Sequence, residues 1–304
     1  MSSTREGSPS VRASAIPSRI DLWVVGAGVA GAVAARVLAD AGVRVAVVAA
    51  GTGASHAPVA ILNPVRAKRG KPVPEAARAL KAARALYGRF DRLFFGLFHR
   101  VPEDALSKWQ KNLKGSGLSY RFEGDRLILP EAFWVRPRRL LPAMLAGIPV
   151  IRDRVIAWKK GVLQLASGRE LKGPAVWAAG AEGAALVDPA PMLTAGSLLR
   201  VAEPGDGGIR GAFFAGGVLG GSYRSLARYQ AWTPTLGEVE ELLEKGQGHL
   251  GRAPTPLGAF GGVRYRHHEP LREVPGGVIF SGFGSTGFLM APLYAERLKR
   301  WLLP

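Results

Sequence analysis

Ile20-Asp-Leu-Trp-Val-Val-Gly26-Ala-Gly28-Val-Ala-Gly31 is the stretch whose reading decides the fold of this chain. The apolar run before Gly26 has strand character, and the alanine-rich stretch from Ala32 to Ala41 has helix character. Val43 to Val48 supplies a second apolar strand and completes a βαβ unit. In that context the three glycines do different things. Gly26 allows a tight turn, Gly28 lets backbone approach a pyrophosphate, and Gly31 lets the helix pack closely on the strand. The helix start, with Val29 and Ala30 between the glycines, offers free N–H groups to an anion. The unit points to dinucleotide binding and leaves both NAD and FAD open.

One position departs from that pattern. The second strand should end in Asp or Glu, roughly 20 residues past the glycines, to hold the adenosine ribose. This chain has Ala49, Ala50 and Gly51 there, and no arginine suited to a 2′-phosphate. Either the ribose is held by backbone or water, or cofactor affinity is reduced.

The length of 304 residues allows about two domains with a large core. No apolar run reaches the ~18 residues of a membrane span; the stretches around 22–33 and 278–293 are broken by glycines. With no cysteine, disulfides, thiol nucleophiles and cysteine-based metal sites are excluded, which fits a cytoplasmic protein. Residues 1–19 are rich in Ser, Pro and Arg, with no apolar block, and read as a disordered tail. Their acid-poor composition also resembles that of an organellar transit peptide. His267 and His268 lack a third ligand at suitable spacing, so no metal is expected.

The net charge of +18 is unevenly spread. Residues 66–160 hold 22 Lys and Arg against 8 Asp and Glu. Arg66, Lys68, Arg69 and Lys71 open this segment. The periodicity that follows predicts a helix from about Pro74 to His99, with Arg78, Lys81, Arg89 and Arg92 in one sector and Leu86, Phe90 and Phe94 opposite. Lys108, Lys111, Lys114, Arg136, Arg138 and Arg139 continue the excess. The four residues of that helix sector form either a solvated face in a basic protein or a surface that tracks the phosphates of a polyanion.

Further along, short strands are expected near 120–129, a short helix after Pro137, and strands at Val150–Trp158, Val162–Leu165 and Ala175–Gly180. Residues 196–232 read as further strands, Glu238–Lys245 as an acidic helix, and 276–303 as strand, glycine turn and helix. The fold class is therefore α/β, with a Rossmann-like cofactor domain built from three chain segments and an interleaved substrate domain centred on an antiparallel sheet. The expected boundaries are 20–72, 148–190 and 262–304 for the cofactor domain, and 73–147 and 191–261 for the substrate domain.

This order of motifs resembles the D-amino-acid-oxidase-like family of FAD-dependent amine oxidases, which includes glycine and sarcosine oxidases. Ala54-Ser55-His56 through Ile61 to Asn63-Pro64 is similar to its flavin-contacting loop. Val155 lies where the family sets a strand against the adenine, and Trp177-Ala-Ala179-Gly180 resembles the turn beside the cofactor. Gly216 to Tyr223 resembles a strand pair of the family, and Gly262-Val-Arg264 the element whose arginine holds a substrate carboxylate. Gly284-Ser285-Thr286-Gly287-Phe288 resembles the turn and helix next to the flavin ring. Leu127 to Pro137 adds a narrower similarity, to the FAD domain of the bifunctional enzymes that modify the tRNA wobble uridine. That domain removes the carboxymethyl group from 5-carboxymethylaminomethyl-uridine, and the companion methyltransferase half has no counterpart here.

The resemblance implies FAD as cofactor and oxidation of an amine or amino acid, with the hydride passing to flavin and the imine hydrolysing in water. Arg264 is then the carboxylate anchor, because a guanidinium binds bidentately. Tyr223 is a second hydrogen-bond donor to the carboxylate or an inert core aromatic. The Gly284–Gly287 turn, at a helix start, suits negative charge on reduced flavin. His56 is the one histidine placed to matter. Three functions remain: oxidation of a modified tRNA, oxidation of free glycine, sarcosine or a D-amino acid, and a non-catalytic descendant that binds nucleotide or RNA.

Overall fold

The computed structural model describes residues 19–303 apart from 67–68, 204, 206 and 210–211. The expected tail up to residue 18, and Lys68 of the basic run, lie outside the described residues. None of the described helices is long and apolar enough to cross a membrane. The described residues form six α-helices, α1 (Val29–Asp40), α2 (Ala76–Tyr87), α3 (Leu106–Leu113), α4 (Pro137–Leu145), α5 (Leu236–Leu250) and α6 (Gly287–Leu302).

Leu22–Val25 lies inside a six-stranded sheet in which Leu271–Val274, Gly277–Phe280, Ala175–Trp177, Leu22–Val25, Val45–Val48 and Val150–Ile151 are successive neighbours. All are parallel except Leu271–Val274, which pairs antiparallel at the edge. The inner strands are short and apolar because both faces are covered. Leu22 and Val24 face the core formed with α1, α2, α4 and α6. Trp23 and Val25 face the opposite way, onto a three-stranded meander of Val155–Lys159, Val162–Leu165 and Glu170–Lys172. The chain moves outward from Leu22–Val25 first on one side, to Val45–Val48, and later on the other, to Ala175–Trp177. That reversal opens a crevice at the carboxyl ends of the central strands, where ligands bind in such sheets.

The second sheet has ten strands. Its long central strand, Met192–Val201, pairs along its whole length with Pro256–Arg266. On its other side it meets Val218–Gly220 and Arg224–Leu226. Farther out the sheet ends with Phe94–Arg100, Arg126–Val135 and Ala60–Leu62.

Two expectations about local structure are corrected. The helix predicted to reach His99 stops at Tyr87, and Phe94–Arg100 is a strand on Arg126–Val135. The apolar spacing continues past Gly88 and mimics a helix, but Phe94 finds a cross-strand partner in Trp134, and Gly96 takes φ +89° at a bulge. Arg89 and Arg92 therefore lie beyond the helix that carries Arg78 and Lys81. The strand expected at Val150–Trp158 is two strands, broken at 152–154, one in the parallel sheet and one in the meander. Helix α2 falls in the stretch assigned from sequence to the substrate domain. Its buried face of Ala79, Leu80, Ala83 and Leu86 instead shares the core of α1 and α6. Arg297 of α6 grips Glu75 at 2.6 Å, and the Tyr87 hydroxyl donates to the Phe288 carbonyl at 2.9 Å.

Candidate active site

A cleft of about 1340 Å³ lies between the two sheets and contains every residue proposed from sequence for the cofactor except Gly31. Gly31 sits behind the wall, where it sets the distance between helix and strand. A Cβ there would stand 1.8 Å from the Gly26 carbonyl oxygen. Gly26 itself has φ +106°, and a Cβ on it would meet the Ala178 carbonyl at 2.5 Å. The turn is thus wedged between its own helix and the neighbouring strand end, and only glycine fits at both places. A Cβ on Gly28 would meet the Ser55 hydroxyl at 3.0 Å, so Gly28 and Ser55 face each other across a narrow gap.

Two helix starts converge here. A Cβ on Gly287 would reach the Val29 side chain at 3.1 Å, which brings the start of α6 against the start of α1. Neither helix has a side-chain cap or an acidic residue in its first turn. Both positive ends are left for an anion in the cleft. Ser285 and Thr286 lie in a single turn of 3-10 helix ahead of α6, and the Thr286 hydroxyl donates to the Phe283 carbonyl. Val155, expected beside the adenine, and Ala179 and Gly180, expected beside the cofactor, all line the cleft, as does Ile61 of the loop. Ala49 is half-buried at the same wall. The cleft also carries an ion pair that sequence reasoning missed, Arg154 with Glu182 at 2.8 Å. Glu182 follows the expected glycine turn by two residues, but nothing local marks its partner.

The antiparallel sheet forms the other wall. Thr194, Gly196, Leu198 and Arg200 alternate onto one face of the central strand, opposite Arg264, Gly262, Phe260 and Gly258. Arg264 and Tyr223 are brought together, with the guanidinium 4.7 Å from the ring centroid. Such stacking occupies the flat face of the guanidinium and leaves its in-plane N–H groups for a ligand. Arg264 has no carboxylate partner among the described residues. Gly196 makes room for it, because a Cβ there would stand 2.7 Å from an Arg264 terminal nitrogen and 2.5 Å from the Ser222 carbonyl oxygen. A Cβ on Gly262 would meet Ala54, so the loop carrying Ser55 crosses directly over the strand.

Behind Tyr223 lies a buried carboxylate that the sequence marks only as part of an acidic helix. Glu238 is fully buried and accepts from Ser197 Oγ at 3.0 Å, Ser222 Oγ at 2.5 Å, Trp232 Nε1 at 3.2 Å and the Thr235 N–H at 3.1 Å. Burial alone would raise its pKa, but the bonds from Ser222, Thr235, Ser197 and Trp232 outweigh it and hold it below the usual value. Thr235-x-x-Glu238 is a capping box, which was legible, but the long-range donors were not.

His56 lies beside the cleft, its pKa lowered mainly by burial and also by the Arg138 charge, against the raising effect of the Gly53 N–H. Its Nδ1 accepts that N–H at 3.3 Å, which gives it a local structural role. His267 and His268 stack on each other, and no metal-holding cluster exists among the described residues. His99 is buried, and burial lowers its pKa to about 4. Its neutral ring bonds Asn63 Oδ1 at 3.2 Å and so braces the loop that follows Ala60–Leu62.

The four basic residues proposed for nucleic acid do not form one free face. Arg78 pairs with Glu75 at 2.6 Å and Arg89 with Asp40 at 2.8 Å. Arg92 lies over the Phe94 ring, and Lys81 is exposed on α2.

A glycine turn at the switch point of a parallel sheet, two helix starts and a large facing sheet define a dinucleotide-binding flavoprotein architecture. The family model described as FAD dependent oxidoreductase (DAO) matches residues 21–301, and the chain belongs to that family. It is thus an FAD-dependent oxidoreductase, and the glycine cradle, the converging helix starts and the cleft volume fit that cofactor. A comparison with curated proteins finds no match. Among solved structures, glycine oxidase from Geobacillus kaustophilus is similar with a TM-score of 0.75 and 20% identity, covering 91% of this chain and 93% of that one. Iminodiacetate oxidase from Chelativorans sp. BNC1 gives 0.73 and 18%, covering 90% and 93%. L-alpha-glycerophosphate oxidase from Mycoplasma pneumoniae, with FAD bound, gives 0.73 and 16%, covering 93% and 94%. These likenesses establish a shared fold.

Proposed function

We propose that this chain oxidises the C–N bond of a secondary amine or amino acid that carries a carboxylate, with Arg264 as the carboxylate anchor. The observation that carries this reading is the Arg264–Tyr223 pair in the cleft, a cation 4.7 Å from a ring and with no acidic partner among the described residues. In this reading residues 20–72, 148–190 and 262–304 hold the cofactor, α2 and α4 pack into the core behind them, and the rest of the intervening segments supplies the substrate wall. Gly26, Gly28 and the start of α1 hold the pyrophosphate, and the Gly284–Gly287 turn holds the flavin end. FAD, when bound, supplies the two-electron acceptor. The protein's part is positional. Arg264 binds the carboxylate with two parallel N–H donors, and the Tyr223 hydroxyl donates to the same group. The buried Glu238 network fixes Ser222, and through it the backbone that presents Tyr223. The substrate loses hydride from carbon and the nitrogen lone pair forms the imine, which water then cleaves to carbonyl and amine.

The finer reading is that the amine is borne by a modified tRNA wobble uridine, and that the protein acts in the cytoplasm. The motif resemblance over 127–137 and the basic excess of residues 66–160 favour it. Oxidation of free glycine, sarcosine or a D-amino acid is the competing reading, favoured by the similarity to glycine oxidase in fold.

Arg264→Lys is the direct test. Lysine keeps the charge but loses the two-pronged grip. Turnover of a carboxylate-bearing amine should fall about 10-fold to 100-fold, for a loss of roughly 1.5–3 kcal/mol from a charged hydrogen bond, while flavin content stays at the wild-type level. Normal turnover in this variant would remove Arg264 as the anchor. A protein that stays colourless with added FAD would leave the non-catalytic reading standing.

A further inference from the structure

A second, smaller recess of about 340 Å³ adjoins the cleft and shares Val59 and Val218 with it. Arg136, Arg138, Arg139 and Arg200 line it, and no acidic residue does. We propose that this recess is a phosphate-ester subsite, which holds a phosphate of a substrate whose amine lies in the cleft.

Three observations carry the proposal. Arg136, Arg138 and Arg139 surround the start of α4, where the helix dipole is positive and cations are unfavourable. The first turn of α4 has no acidic residue and no side-chain cap. Neither these three arginines nor Arg200 forms an ion pair among the described residues. Four positive charges and a positive helix end thus accumulate without an internal counter-charge, and an anion would relieve the repulsion.

The guanidinium groups are also arranged for capture. Arg136 lies 4.7 Å from the Phe94 ring centroid, and Phe94 stacks on Trp134 at 3.8 Å. The stack holds the flat face and leaves the N–H edge open to an oxyanion. Arg138 donates through Nε to the His56 carbonyl at 3.1 Å, which fixes it and leaves its terminal nitrogens.

Distance selects the kind of ligand. Arg200 lies six residues from Thr194, on the same face of the central strand, and Thr194 is the register partner of Arg264. At ~3.3 Å per residue the two arginines are about 20 Å apart. A free amino acid cannot reach both, whereas a chain with repeated phosphates can. Both a polynucleotide backbone and a compact phosphorylated molecule share the phosphate chemistry. The proposal rests on the amine-oxidising reading only for what occupies the cleft.

The test uses FAD-loaded protein and the triple variant Arg136→Gln, Arg139→Gln, Arg200→Gln, which leaves Arg138 on its carbonyl. The probes are a single-stranded RNA oligonucleotide and inorganic pyrophosphate, each titrated over a range of salt. Wild-type affinity for the oligonucleotide should fall with salt, with a log–log slope of about −0.7 per phosphate contact. The variant should bind at least 10-fold more weakly with a slope flatter by about 2, at unchanged flavin absorbance. Loss of pyrophosphate binding alone in the variant would keep the site and assign it to a small phosphorylated substrate. Equal binding of both probes by wild type and variant, or by neither, overturns the proposal. Failure of amine oxidation leaves this binding result unaffected, so the two readings fail separately.

Discussion

Gly31 and Gly28 belong to one motif, yet the structure separates what an added methyl would do at each. At Gly31 the new carbon would be 1.8 Å from the Gly26 carbonyl oxygen, a fixed backbone atom. An ordinary carbon–oxygen contact is roughly 3.3 Å, so α1 would have to retreat about 1.5 Å. Nine residues of α1 are buried, and such a retreat loosens the packing along its whole inner face. Overpacking of this kind costs about 1–3 kcal/mol, and a clash against backbone belongs at the upper end, about 3 kcal/mol. At Gly28 the new carbon would meet the Ser55 hydroxyl at 3.0 Å, the end of a small side chain that can turn. Gly28→Ala should therefore cost the apoprotein under about 1 kcal/mol. On the proposed placement of the pyrophosphate at Gly28, its effect falls on the cofactor, because the methyl stands where the phosphate would approach backbone. Losing one or two such hydrogen bonds weakens FAD by about 10-fold to 100-fold. Urea unfolding of the apoprotein and titration of FAD by fluorescence quenching read the two effects independently. If Gly31→Ala unfolds like wild type, or Gly28→Ala binds FAD at full affinity, the account of the cradle is wrong.

Other perturbations follow from the same walls. Ala49→Glu should tighten FAD binding by about 1–3 kcal/mol by supplying a charged acceptor for the ribose; unchanged affinity would mean the ribose is held another way. Glu238→Ala should destabilise the protein by roughly 3–5 kcal/mol, since the Trp232 and Thr235 N–H groups cannot rotate away from the lost acceptor, and should also raise KM through Ser222 and Tyr223. Because Glu238 has a lowered pKa, its stabilisation is present above the ordinary 4.5 and is lost as pH falls through the lower folded value. His99 moves from 6.5 to about 4 by burial. Its unfolded form takes up a proton first, so stability present above pH 6.5 declines toward pH 4. The loss is about 3 kcal/mol at 1.36 kcal/mol per unit. His99→Gln should flatten that decline in chemical unfolding between about pH 7 and 4, and an unchanged slope would show that other groups cause it.

The sequence by itself determined the βαβ unit and the turn and packing roles of Gly26 and Gly31. Those roles depend on local geometry: a positive φ at Gly26 and one turn of helix beside one strand end. It also determined that the motifs at 177–180, 262–264 and 284–288 occur in the order of an FAD-binding fold, because each is a short turn with its own composition. Only the tertiary structure decided which residues meet. Arg264 and Tyr223 are 41 residues apart in number but adjacent in space, because Met192–Val201 pairs with Pro256–Arg266 and with the strand that follows Tyr223. Glu238 reads as one more acidic residue on a helix until Ser197 and Ser222 arrive from that sheet to satisfy it. The helix expected to run to His99 failed for a related reason. Its apolar spacing suits either period over a short stretch, and the cross-strand pairing of Phe94 with Trp134, a long-range contact, decided between them. The same folding neutralised Arg89 on Asp40 while it gathered Arg136, Arg138, Arg139 and Arg200 around one recess. Charge excess was legible in the sequence, but which charges remain uncompensated depends on contacts between distant segments.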